Sequence, residues 1–245
     1  MDTGLKGKTV LVTGASRNLG RLTALSFARE GANLAICSRA KIADLNAVAD
    51  EARAAGVKVV ARLCDVTDGG DVARFVAEAR SALGGVDVAI NLAGFRAEGS
   101  LLEESLESWN RAIAVNLTAP FHVCRNVVPH MMEKRWGRII NVSGNSAYLG
   151  FSPGQSAVKM GIVGFTRAVA KEFGAHNITA NCIGPGAVAR NLEAAENEKT
   201  LDPNQPVPRK GRTDEVVSLL LYLASDAAGF ITGQCYLANG GKYFQ

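Results

Sequence analysis

The sequence predicts one doubly wound α/β domain of Rossmann type, a parallel sheet of about seven strands with helices on both faces. Three observations predict it. Short β-branched apolar runs alternate with longer segments of helical period along the whole chain. The 245 residues, 47% of them hydrophobic, suffice to bury one sizeable core. A glycine-bearing turn joins the first strand to the first helix, so that backbone N–H groups converge on one point.

The strands are read at residues 9–13 (TVLVT), 33–37 (NLAIC), 58–63 (KVVARL), 86–92 (VDVAINL), 138–142 (RIINV), 179–183 (TANCI) and 234–237 (QCYL). Helical patterns fill the intervals at 19–30, 42–55, 70–83, 106–135, 156–173 and 214–225. Connections between parallel strands are right-handed crossovers. The chain has no internal repeat and no low-complexity tract, so residues 1–245 form one domain. Residues 190–212 break the pattern: they are polar, charged and carry three prolines. Two readings stay open for them, a solvated connection or a lid over a substrate cleft.

Composition narrows the function. A net charge of +4 without a run of Lys/Arg argues against a nucleic-acid partner. No apolar run reaches the ~18 residues of a membrane helix, so no membrane partner is expected. The amino terminus lacks a signal-peptide pattern. The five cysteines, Cys37, Cys64, Cys124, Cys182 and Cys235, lie far apart and form no CxxC pair. They read as buried reduced thiols of a cytoplasmic protein, with no metal site.

The first turn, TGASRNLG, contains Gly14, Ser16, Arg17, Asn18, Leu19 and Gly20. Its N–H groups and the helix amino terminus suit a pyrophosphate. Asn18 stands where a middle glycine is expected; asparagine tolerates left-handed backbone better than most residues. The second strand ends in Ser38 and Arg39, with Lys41 close behind and Arg17 available from the first turn. A carboxylate there would select a ribose 2′-hydroxyl. Cations and a hydroxyl suit a 2′-phosphate instead, which favours NADP(H) over NAD(H).

Eight motifs now stand in one order: TGASRNLG, CDVTD, NLAG, AVNLTAPF, GRIINVSG, the helix of Lys159, NCIGPGAV and SDAAGFITGQCYLANGG. Together they make the chain resemble, over its whole length, the classical short-chain dehydrogenase/reductases, particularly those like the 3-oxoacyl-carrier-protein reductases. The resemblance implies that Asp65 and Val66 flank an adenine. It places Asn91, Ala93 and Gly94 on the central cofactor path, and Pro185, Gly186 and Val188 beside a nicotinamide. It makes Asn116 and Lys159 the catalytic Asn and Lys, with Lys159 also holding the nicotinamide ribose. It implies a homotetramer or homodimer built on the helices at 106–135 and 156–173. Asn239 stands where the family commonly has Asp.

The chain departs from the family at two positions. The family's proton donor is a Tyr one turn before the Lys, its pKa lowered by that cation from an ordinary value near ~10. Counting back four from Lys159 gives Gln155, and an amide supplies no proton at useful pH. The family's carbonyl-binding Ser aligns with Gly144. Ser143 lies one step earlier and would face the other way in a strand, while Ser146 lies beyond in a loop. Tyr148 is the visible substitute, read either as a displaced acid or as an aromatic on the cleft wall. Three functions follow. One is an NADP(H)-dependent oxidoreductase acting on a small hydrophobic C=O, C=C or C=N substrate. Another is an NADP(H)-binding protein that senses redox state or supports an active paralogue. The third is a non-redox catalyst using the cofactor as scaffold.

Overall fold

The computed structural model of the protein describes residues 2–189 and 205–244. Seven strands form one parallel sheet in the order β3-β2-β1-β4-β5-β6-β7. They are β1 (Thr9–Thr13), β2 (Asn33–Ser38), β3 (Val59–Leu63), β4 (Val88–Asn91), β5 (Gly137–Val142), β6 (Ile178–Pro185) and β7 (Cys235–Ala238). Helices α1 (Asn18–Arg29), α2 (Ile42–Ala54) and α3 (Gly69–Leu83) connect the first four strands. The order reverses between β1 and β4, which opens a crevice at the carboxyl edge of the sheet.

Most strand positions are buried on both faces, as crossover helices on both sides require. One core lies between the sheet and α1, α2 and the helix α8 (Thr213–Ala224). A second packs the opposite face under α3 and the long central helices.

The predicted helix 106–135 is not continuous. It comprises α4 (Leu106–Ile113), a π-helical turn (Ala114–Thr118) and α5 (Ala119–Lys134). Two residues explain the interruption. Pro120 has no N–H to return to the carbonyl of Asn116, four residues earlier. The Asn116 side chain takes the carbonyl of Ala112 at 3.0 Å, competing with the main-chain ladder.

The predicted helix 156–173 begins earlier, as α7 (Pro153–Phe173), with Pro153 in its first turn. A short helix α6 (Ser146–Leu149) precedes it. Of the expected lid, residues 190–204 lie outside the described residues. Its two feet are paired: Val188 bridges Gly211, Ala189 N–H donates to Gly211 O at 2.9 Å, and Gly211 N–H donates to Ala187 O at 2.9 Å. All five cysteines are buried, and none forms a disulfide among the described residues.

Candidate active site

Tight backbone packing shapes the first turn. Gly14 has φ +71°, and a Cβ there would press on the Ala93 main chain at 3.1 Å. A Cβ on Gly20 would run into the carbonyl oxygen of Gly14. Asn18 has φ 48°, the left-handed conformation its side chain tolerates. The amino end of α1 carries no acidic residue and no side-chain cap, so its N–H groups stay available to an anion.

A cavity of about 570 Å³ opens beside this turn. Its walls bring together Gly14, Ser16, Arg17, Asn18, Leu19 and Gly20 from the turn, with Ser38 and Arg39 from the end of β2. Asp65, Val66, Ala93 and Gly94 line it as well, whereas Lys159 does not. Arg17, Arg39 and Lys41 have no carboxylate partner among the described residues. The Ser38 hydroxyl donates to Ala40 O at 2.7 Å. A groove with three unpaired cations at one end and a helix amino terminus at its middle fits a phosphorylated dinucleotide.

Asn91 does not line the cavity. Its amide donates to Asn141 Oδ1 at 2.8 Å, and Asn141 donates to the Thr166 hydroxyl at 2.9 Å. The side chain is committed to the core, which leaves only main-chain contacts to a ligand. Sequence reading missed Phe95, Arg111 and Val115, all of which line the cavity. Arg111 and Val115 are four apart in a helical pattern, but nothing local says which face meets the groove.

The other end is built around one carbonyl. Phe95 O accepts from Asn116 Nδ2 at 2.8 Å and from Gln155 Nε2 at 2.7 Å. Phe95 N–H donates to Asn116 Oδ1 at 3.4 Å. Lys159 Nζ donates to the same Asn116 Oδ1 at 3.3 Å and to Val142 O at 3.0 Å. Lys159, Asn116, Phe95 and Gln155 are thus one network joining β5, the π turn, the strand-end loop and α7. Burial pulls the Lys159 ammonium down to about 8, opposed by the neighbouring Cys182 thiol.

Two more bonds fix the loop that follows Phe95. Ser152 Oγ donates to Ala97 O at 3.3 Å, and Gly154 N–H donates to Glu104 Oε2 at 2.9 Å. Glu104, from a different segment, thereby caps α7, where a negative charge is favoured.

The hydroxyls are placed elsewhere. Ser143 Oγ donates to Lys159 O at 2.8 Å and is buried against the helix backbone. At Gly144 a Cβ would meet nothing nearer than Pro185 O at 3.8 Å. The Tyr148 ring stacks on Tyr243 with centroids 4.9 Å apart. Its hydroxyl is buried without a hydrogen-bond partner among the described residues. Burial, and then the thiol of Cys235, push the Tyr148 phenol well above its ordinary value. No hydrogen bond joins Tyr148 to Lys159 or Asn116 among the described residues.

Pro185 ends β6. Gly186 N–H donates to Ala238 O at 3.0 Å, and a Cβ there would press on Asn239 Cα at 2.9 Å. Asn239 donates to Asn145 Oδ1 at 3.2 Å, which ties the carboxyl-terminal tail to the loop after β5. Pro185, Gly186 and Val188 lie outside the 570 Å³ cavity.

Residues 14–242 match the family model described as enoyl-(acyl carrier protein) reductase. The chain is 35% identical over 242 residues to the 3-oxoacyl-(acyl-carrier-protein) reductase FabG of Staphylococcus epidermidis, covering 96% of this chain and 99% of that one. It is 34% identical over 243 residues to the 3-oxoacyl-(acyl-carrier-protein) reductase of a Synechocystis species, covering 98% of each. Among solved structures, a short-chain dehydrogenase/reductase from Serratia marcescens superposes with a TM-score of 0.89 at 31% identity, over 97% of this chain and 98% of that one. Another, from Burkholderia xenovorans, gives 0.88 at 33% identity over 97% of each.

Proposed function

Since the chain belongs to the short-chain dehydrogenase/reductase family, we propose that it is an NADP(H)-dependent oxidoreductase whose proton donor is not the usual tyrosine. One observation carries this reading. The buried ammonium of Lys159 and the amide of Asn116 form a network at the carboxyl edge of the sheet, and Gln155 occupies the preceding turn. The substrate is a small hydrophobic C=O, C=C or C=N compound.

When bound, NADP(H) supplies hydride chemistry. The first turn and the start of α1 would hold its pyrophosphate. Arg17, Arg39 and Lys41, without a carboxylate partner among the described residues, would hold the 2′-phosphate. Lys159 would hold the nicotinamide ribose and, with an ammonium held down to about 8, would release a proton near neutral pH. Asn116 orients that ammonium and hands it no negative charge. Gln155 holds Phe95 in place and gives no proton. Tyr148 serves as a packing residue under Tyr243. A site with a weak acid suits substrates that need little protonation at oxygen, such as an iminium or a conjugated alkene.

The exposed apolar side chains of Leu106, Phe121 and Met160 lie on the helices expected to build a dimer or tetramer. Light scattering after size exclusion tests that assembly.

The central test is a screen of NADPH oxidation with ketones, enones, enoyl thioesters and cyclic imines, beside NADPH and NADH titrations by fluorescence. Turnover with any of these, and tighter binding of NADPH than NADH, is expected. Tight NADPH binding with no turnover on any substrate class would overturn the catalytic reading. Arg39→Asp should move the preference toward NADH.

A further inference from the structure

Arg111 lies in the last turn of α4 and lines the same groove as the glycine turn. Its guanidinium stands 5.3 Å from the centroid of the Phe95 ring. Phe95 makes a rigid platform, because both its N–H and its C=O are tied to Asn116 and its C=O also to Gln155. A guanidinium whose face rests on a ring keeps its N–H edges open to another partner. No carboxylate pairs with Arg111 among the described residues.

The position of Arg111 along the groove follows from its neighbours. It borders a second cavity of about 570 Å³ together with Arg39 and Asp65, which mark the adenosine end. It also touches Phe95, which follows Gly94 toward Lys159. A residue that borders both lies between the adenosine end and the Lys159 network, where the middle of a dinucleotide would run. The middle of a dinucleotide is its diphosphate. In the same groove, α1 offers backbone N–H groups but no side-chain cap.

We infer that Arg111 is a binding residue for the diphosphate, clasping it from the α4 wall while Phe95 holds the guanidinium in place. This rests on the reading that the groove takes a dinucleotide. The clasp differs from the 2′-phosphate contact assigned to Arg39, because a diphosphate is common to NADPH and NADH.

The experiment measures dissociation constants of NADPH, NADH, ADP-ribose and adenosine 2′-monophosphate by calorimetry, for the wild type and for Arg111→Gln, Phe95→Leu and Arg39→Gln. Arg111→Gln should weaken NADPH, NADH and ADP-ribose alike, on the order of tenfold or more. It should leave adenosine 2′-monophosphate unchanged. Phe95→Leu should give the same pattern with a smaller loss. Arg39→Gln should weaken NADPH and adenosine 2′-monophosphate and spare NADH. A loss at Arg111→Gln confined to the two 2′-phosphorylated ligands overturns the inference, and so does no loss at all with the fold intact by circular dichroism. A wild type that binds none of the four overturns the cofactor reading itself, and the clasp with it.

Discussion

The two edges of the sheet treat charged groups in opposite ways. At the amino edge, charge is neutralised inside the protein. Asp87, just before β4, accepts from Thr9 N–H at 2.8 Å and from Lys134 at 3.1 Å. Arg138 in β5 is 2% exposed, yet it donates to Gly137 O at 2.9 Å and to Ser225 O and Asn177 O at 3.3 Å, over the face of Trp136. His130 is the exception there: its ring nitrogens make no hydrogen bond among the described residues, Nδ1 stands 3.7 Å from Glu133 Oε2, and burial lowers its pKa. At the carboxyl edge, Arg17, Arg39, Lys41 and Arg111 line the groove with no carboxylate partner among the described residues, and Lys159 donates to Asn116 Oδ1 and Val142 O. Identical strands run between these edges. The difference shows where the fold has spent its polar groups on itself and where, among the described residues, it has not.

Substitutions at the two edges should therefore fail differently. The largest effect is expected at Lys159→Met. Loss of the proton source and ribose contact should lower the reduction rate by about 10²–10⁴-fold, read by NADPH absorbance. In the wild type the rate should fall as pH rises through about 8, where the ammonium is lost.

Arg138→Met tests the amino edge. It strips donors from three main-chain carbonyls and should cost about 1–3 kcal/mol of stability by urea unfolding. NADPH affinity should stay within about twofold. A parallel loss of affinity would break the contrast between the edges.

Next comes the pH dependence of apo stability. The folded pKa of Lys159 is lowered, so between about 8 and the ordinary 10.5 the unfolded chain binds the extra proton. Its contribution to stability therefore rises with pH across that window, and below 8 the burial cost stands in full. The wild type minus Lys159→Met difference in unfolding free energy should show that rise; a flat difference contradicts a buried ammonium.

The smallest effect is expected at Tyr148→Phe. Removing a buried hydroxyl with no hydrogen-bond partner among the described residues should leave the rate within about twofold and stability level or slightly higher. A hundredfold loss would return Tyr148 to the role of acid.

The fold was legible because each strand and crossover helix carries its own period; the reversal between β1 and β4 was not, since chain order alone does not say which edge a new strand joins. The break at Asn116 was legible only in part: Pro120 is visible in the sequence, but the Asn116 side chain taking the Ala112 carbonyl is not. The turn residues and Arg39 were legible because they sit at strand ends. The surroundings of Gln155 and Tyr148 were not. Gln155 is held by Phe95, 60 residues away, and Tyr148 by an aromatic in the carboxyl-terminal tail. Arg111 escaped for the same reason: only packing tells which helical face meets the groove.

The bridge between Val188 and Gly211 gives the scaffold a clean splice point. The bonds that close it run from main chain to main chain, Ala189 N–H to Gly211 O and Gly211 N–H to Ala187 O, so side-chain replacements at 187 and 189 would leave the joint standing.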